Sequence, residues 1–149
     1  MQAWKCRKCG RSFRHARQWH SCRPPVPLET HFAKAGPAVR QTFDTLLAKL
    51  APRSAYQIDS AASGISLRAG GVFAAFKPRK AWLDGELLLD APQRRSVFQK
   101  VWQLSARSWV HGFRLQGPED VTPELVRLLR EALSRAVNRN RPPDVRESK

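Results

Sequence analysis

The spacing of apolar residues changes along the chain, and each change marks an element. After Gly36-Pro37 the apolar positions Val39, Phe43, Leu46, Leu47 and Leu50 fall at i, i+4, i+7, i+8 and i+11, one face of a helix. Pro37 suits the first helical turn, where its missing amide costs nothing, and Pro52 ends the helix. From 55 to 89 the pattern shortens to β-type runs: Tyr56 to Asp59, Ile65 to Arg68, Val72 to Phe76 and Trp82 to Leu89. Ser60 to Gly64, Gly70-Gly71 and Pro78-Arg79-Lys80 supply the turns of an antiparallel meander. Val97 to Leu104 suits either element: Val97, Val101 and Leu104 fit a helix, while Phe98 and Trp102 favour a strand. The run Trp109 to Leu115, one short Ser-Ala-Arg turn away, tips it towards strand by offering a neighbour. The last element has Thr122 as N-cap, Pro123 at the first helical position and Glu124 at the positive end of the helix dipole. Leu125, Leu128, Leu129, Ala132, Leu133 and Ala136 then form one stripe that should pack across the sheet.

This pattern predicts an α+β fold, an antiparallel sheet of about five to six strands flanked by an N-terminal and a C-terminal helix, over residues 37–138. Residues 24–36, which open on Pro24-Pro25-Val26-Pro27, read as a stiff proline-rich linker, and 139–149 as a disordered polar tail.

Charge divides the chain again. Lys and Arg number 27 against 12 Asp and Glu, a formal +15, and the pI is near 11.2. Residues 1–23 hold seven of the basic residues (Lys5, Arg7, Lys8, Arg11, Arg14, Arg17, Arg23) and no acid, so +7 sits on 23 residues and +8 on the remaining 126. A field of this sign favours polyanions, chiefly nucleic acid. The first ten residues lack the apolar region of a signal peptide, and no run approaches the roughly 18 apolar residues of a membrane span. The expected location is cytoplasmic.

All three cysteines fall in the basic segment. Cys6-Arg7-Lys8-Cys9-Gly10 is a C-x-x-C followed by glycine, and His20-Ser21-Cys22 comes ten residues after the second cysteine. Two thiolates three positions apart can grip one metal when the turn aims its amides at the sulfurs, and Gly10 permits that tight path. Cys6, Cys9, His20 and Cys22 would complete a Cys₃His set for structural Zn²⁺, with no open position for chemistry. A redox C-x-x-C would sit at a strand-to-helix junction of a βαβ unit, and none surrounds it. The one-residue gap in His20-x-Cys22 is short for such sites, so His15 is the alternative to His20. Residues 1–23 are therefore read as a zinc-finger-like module. Trp4, Phe13 and Trp19 lie among its basic residues, either as bases' stacking partners or as a mini-core around the metal. Trp4, outside the ligand loop, is the ring most free for a ligand. Lys5, Arg7, Lys8, Arg11, Arg14 and Arg17 are the candidate phosphate contacts there.

In the second region Lys77, Arg79 and Lys80 cluster in a predicted hairpin turn and Arg94-Arg95 in a later loop, placed for phosphate or for simple solubility. Asp84 and Glu86, at i and i+2 of a strand, share a face, but no third acid or catalytic lysine accompanies them. His31 and His111 are single histidines, of a kind more often at the core edge or surface than catalytic. There is no G-x-S-x-G elbow, phosphate-binding glycine loop or H-E-x-x-H helix.

W-x-C-x-x-C-G-R-x-F with a later H-S-C, H-F-A-K-A-G-P-A-V-R-Q-T-F-D-T-L-L, and H-G-F-R-L-x-x-P-E-D-V-T-P-E-L-V-R-L-L-R-E-A together resemble a bacterial family of small α+β domains known only as a domain of unknown function, over about 31–137. The resemblance implies a helix, an antiparallel sheet and a C-terminal helix, and carries no catalytic residue. In that family the domain also occurs fused to other modules, some of them nuclease-like. The expectation is a non-enzymatic, zinc-binding protein whose basic module contacts DNA or RNA. The alternatives are an adaptor that docks an acidic protein, or a small-ligand or enzyme module on the sheet face.

Overall fold

A computed structural model describes residues 4–8, 10, 12, 13 and 25–139 of the chain. In the N-terminal part, β1 (Trp4–Lys5) pairs antiparallel with β2 (Ser12–Phe13), Trp4 opposite Phe13. Between them the Gly10 amide donates to the Cys6 carbonyl at 2.8 Å. Gly10 sits at φ +75°, in the left-handed region that a side chain would disfavour. Cys6 is buried, with Trp4 packed against it. The other residues of the expected zinc set, Cys9, His20 and Cys22, lie outside the described residues, as do Arg11, Arg14, His15, Arg17, Trp19 and the tail 140–149.

The stretch read as a linker contains a short helix, α1 (Leu28–Phe32), and the Val26 amide donates to the Ser60 carbonyl, tying the segment to the sheet. Three prolines obscure this element, but Pro27 stands at its N-cap, where no amide is needed. Next comes α2 (Pro37–Leu50), which begins at the expected proline. It ends because Ala51, the residue before Pro52, is driven to an extended conformation. A 3₁₀ turn (Arg53–Ala55) leads into the sheet.

Six strands follow: β3 (Gln57–Ala61), β4 (Gly64–Ala69), β5 (Gly71–Pro78), β6 (Leu83–Leu89), β7 (Lys100–Ser105) and β8 (Ser108–Leu115). All pairings are antiparallel, in the order β3-β4-β5-β6-β8-β7. The first four strands are the expected meander. The last hairpin then places β8 against β6 and leaves β7 at the edge. Burial explains the choice: β8 brings Val110, His111, Phe113 and Leu115 to the interior, whereas no residue of β7 is fully buried. Val97 and Phe98 precede β7 rather than belonging to it, and Phe98 joins the core.

A 3₁₀ turn (Pro118–Asp120) precedes α3 (Pro123–Arg139). Thr122 Oγ1 accepts the Leu125 amide at 3.2 Å, and all six residues of the expected stripe are buried, with Val126 beside them. α3 packs on β4, β5, β6 and α2. Arg130 joins the two helices, donating to the Leu50 carbonyl at 2.8 Å and the Lys49 carbonyl at 2.7 Å. These are orphan acceptors at the end of α2, so a side chain of α3 caps its neighbour. Beneath the helices the rings of Phe32, Phe43, Phe76, Phe113 and Phe98 form a chain with successive centroids 5.4 to 6.5 Å apart. Gly85 makes room for it, since a Cβ there would lie 2.5 Å from the Phe113 ring.

His111 is fully buried within this core. Its Nε2 accepts the Gln93 amide at 2.9 Å and its Nδ1 lies 3.0 Å from the Trp109 carbonyl, which assigns the proton to Nδ1 and the neutral form to the ring. Burial lowers its pKa below the ordinary histidine value, outweighing the bonds to backbone.

Candidate functional site

The helices cover one face of the sheet, and the other carries the polar chemistry. Strand register builds a row of Asp59, Ser66, Ala75, Glu86, Gly112 and Lys100 across the uncovered face. Small side chains at Ser66, Ala75 and Gly112 leave a shallow floor. Beside it runs a second row, Lys77, Asp84 and Arg114, ending near the β5–β6 turn. A cavity of about 370 Å³ lies over this part of the sheet, lined by Gly64, Ser66, Ala75, Lys77, Asp84 and Glu86 among others.

Asp84 organises the rim. It accepts Arg79 Nε at 3.0 Å on one oxygen and Arg114 Nε at 2.9 Å on the other, and the Arg114 guanidinium rests 4.2 Å from the centre of the Trp82 ring. Partial burial alone would raise the Asp84 pKa, but the bonds from Arg114 and Arg79 more than offset it and hold the carboxyl below its usual range. Asp84 and Glu86 do share a face, as their spacing implied. With two guanidinium groups on it, Asp84 is an ion-pair anchor, while Glu86 forms no ion pair among the described residues. Among the described residues no three His, Cys, Asp or Glu side chains converge as metal ligands.

Arg79 also borders a second cavity, of about 390 Å³, between the α1–α2 connection and the β5–β6 turn. Its lining is His31, Lys34, Ala35, Pro78, Arg79 and Lys80. Two backbone bonds fix its walls: the Gly36 amide to the Lys80 carbonyl at 2.9 Å, and the Arg79 amide to the Trp82 carbonyl at 2.8 Å.

Of the candidate contacts named from sequence, Lys77, Arg79 and Lys80 are brought together and exposed, Lys77 towards the sheet face and the other two towards the second cavity. Lys5, Arg7 and Lys8 are exposed in the N-terminal hairpin, and Trp4 is half-buried. Arg94 and Arg95 lie apart, Arg95 pairing with Glu124 at 3.7 Å. His31 and Lys34 were not linked to the cationic turn by any sequence signal, because their proximity depends on the Gly36–Lys80 bond across more than forty residues.

The family described as Domain of unknown function (DUF5655) matches residues 28–134. The chain belongs to this family. The DUF5655 match runs from α1 into α3 and so takes in the whole six-stranded sheet, both cavities and the Asp84 anchor, while the hairpin containing Cys6 precedes it. Comparison with curated proteins and with solved structures found no match. The DUF5655 domain therefore has to be read from its own side chains. Among the described residues no helix is long and apolar enough to cross a membrane.

Proposed function

We propose that the chain is a non-enzymatic, cytoplasmic nucleic-acid-binding protein in which a zinc module and the cationic β5–β6 turn both contact phosphates. The observation that carries this reading is the separation of paired from unpaired charge. Every ion pair among the described residues is made by an arginine. Lys77 and Lys80 flank the turn and form no ion pair among the described residues, which leaves their charge for a phosphate from outside. The N-terminal segment adds seven basic residues without an acid.

For the module, the proposed Zn²⁺ ligands are Cys6, Cys9, His20 and Cys22, and the metal's role is structural. The Cys6-to-Gly10 turn suits that role, because Gly10, at φ +75°, closes a tight turn with its amide on the Cys6 carbonyl, the compact path that a C-x-x-C metal grip needs. Lys5, Arg7, Lys8, Arg11, Arg14 and Arg17 would then meet phosphates and Trp4 a base.

Binding of this kind is dominated by counterion release. The logarithm of the affinity for a single-stranded oligonucleotide should fall with the logarithm of salt concentration, at a slope of about −0.7 per neutralised phosphate. Fluorescence anisotropy on wild type and on Lys77→Ala/Lys80→Ala measures it. The double variant should lose roughly 1 to 1.5 units of slope. An affinity that hardly changes with salt, or an unchanged slope in the variant, refutes the role of the turn.

A second reading has one observation in its favour, the cavity over the small-residue floor at Ser66 and Ala75. It would make the sheet face a small-ligand site, with Glu86 and Lys77 as its polar contacts.

A further inference from the structure

We infer that the cavity between the α1–α2 connection and the β5–β6 turn is a site for one phosphomonoester group. This cavity and the one over the sheet differ in charge. Over the sheet, Lys77 and Arg79 share the lining with Asp84 and Glu86. In the second cavity Lys34, Arg79 and Lys80 face no carboxylate in the lining. Arg79 stands on the wall of both, and its Nε is spent on Asp84. The guanidinium keeps its other N–H donors, and Asp84 fixes its plane, which favours recognition of an oxyanion by a pre-oriented fork.

The histidine of the lining supplies an independent observation. His31 Nε2 is buried and has no hydrogen-bond partner among the described residues. A buried ring nitrogen is normally satisfied, and the cavity that this histidine lines is otherwise bordered by Lys34, Arg79, Lys80 and the apolar Ala35 and Pro78. A small turn of the imidazole would bring that nitrogen to a phosphate oxygen in the cavity, beside the two lysine ammonium groups. The Gly36–Lys80 and Arg79–Trp82 backbone bonds hold the walls in place while the side chains close on it. The volume, about 390 Å³, falls within the range of roughly 300–1,000 Å³ found for small-ligand sites and leaves space for the group that bears the phosphate.

This goes beyond general affinity for polyanions, since a diester along a strand carries one charge per phosphate and no free end, whereas a monoester offers up to two charges and three terminal oxygens to a closed set of donors. Its source is either the end of a nucleic acid or a small phosphorylated metabolite, and one titration series separates them. The inference shares Arg79 and Lys80 with the function proposed above, but Lys34 and His31 belong to this cavity alone.

The experiment titrates the full chain at constant ionic strength with three probes: a single-stranded oligonucleotide with a 5′-phosphate, the same oligonucleotide with a 5′-hydroxyl, and inorganic phosphate followed by ³¹P NMR. Wild type should bind the phosphorylated strand about tenfold more tightly, the scale of one charge-assisted contact, and Lys34→Ala should abolish that advantage while leaving the hydroxyl strand's affinity unchanged. His31→Gln should reduce the advantage without unfolding the protein, checked by its denaturation midpoint. Saturable one-to-one phosphate binding that Lys34→Ala removes, with neither strand bound, supports the site, points to a metabolite and sinks the nucleic-acid reading. Equal affinity for the two strands, with no saturable phosphate binding, overturns the site and leaves the nucleic-acid reading standing.

Discussion

Replacing Asp84 by Asn keeps the shape of the side chain and removes the charge that two arginines share. The cost can be bounded from the geometry. Bonds of 3.0 and 2.9 Å to Arg79 and Arg114 would each contribute about 1.5–3 kcal/mol if they were fully buried. They are not: the side chains of Asp84, Arg79 and Arg114 are 27%, 50% and 36% exposed, so solvent screens both pairs towards the range of about 0.2–1 kcal/mol. The expected loss at neutral pH for the two pairs together is therefore about 0.4–2 kcal/mol, towards the lower end where Asn keeps an acceptor for one arginine. Urea denaturation at pH 7 should show this as a midpoint lower by roughly 0.2–1 M, taking a slope of about 2 kcal/mol per molar. The pH dependence gives the sharper check. The carboxyl is held below its usual pKa in the folded protein, so its contribution is complete above the unfolded value of about 3.9 and disappears as pH falls through the folded one. Wild type and Asp84→Asn should thus converge in strong acid. A difference that stays constant from pH 7 to pH 2, or no difference at pH 7, would show that Asp84 is not the anchor.

Two further outcomes test the core. Gly85→Ala puts a methyl 2.5 Å from the Phe113 ring, which is packed between Phe76 and Phe98 and has no room to retreat, so thermal or chemical denaturation should report about 1–3 kcal/mol of lost stability. His111 is neutral and bonded at both ring nitrogens, with its pKa lowered by burial, so protons bind the unfolded chain first. Stability should consequently decline as pH drops below about 6.5, by at most about 1.4 kcal/mol per pH unit from this residue, until the folded pKa is passed. His111→Gln should start less stable and lose less between pH 7.5 and 5.5, and an equal loss in both proteins would contradict the assignment.

Much of this architecture is legible in the chain because local signals and tertiary packing agree. Pro37 and Thr122-Pro123 fix where α2 and α3 begin, and the apolar stripes of both helices are the faces that the sheet covers. The turns at Ser60–Gly64, Gly70-Gly71 and Pro78–Lys80 separate β3 to β6 where the glycines and proline suggest. Strand order beyond β6 is not local information. It depends on which of β7 and β8 has more apolar surface to hide, and only the assembled core decides that. α1 is hidden for a different reason: five residues make too short a stripe for periodicity, and the neighbouring prolines suggest an extended chain. The cationic turn at Lys77, Arg79 and Lys80 can be read directly, but its neighbours cannot. His31 and Lys34 reach it through one backbone bond, and Arg114 reaches Asp84 across thirty residues.

The division of labour between the two basic residue types follows from their chemistry. An arginine fork is rigid and planar, and it loses little entropy when fixed between acceptors, whereas a lysine is a hydrated point charge on a mobile stem. The fold uses them accordingly: Arg40, Arg68, Arg79, Arg114, Arg127 and Arg135 hold carboxylates, and Arg130 holds the end of α2. Those charges are largely neutralised within the molecule. The lysines form no ion pair among the described residues; Lys34 and Lys80 border the cavity beside the β5–β6 turn and Lys77 the cavity over the sheet, where Asp84 is held by two arginines and Glu86 lines the same space. A protein that needed Lys34 and Lys80 only for solubility would gain nothing from placing them with Arg79 around one cavity, since dispersed charges solvate as well and repel one another less. The repulsion built into that cavity is the cost that an incoming phosphate relieves.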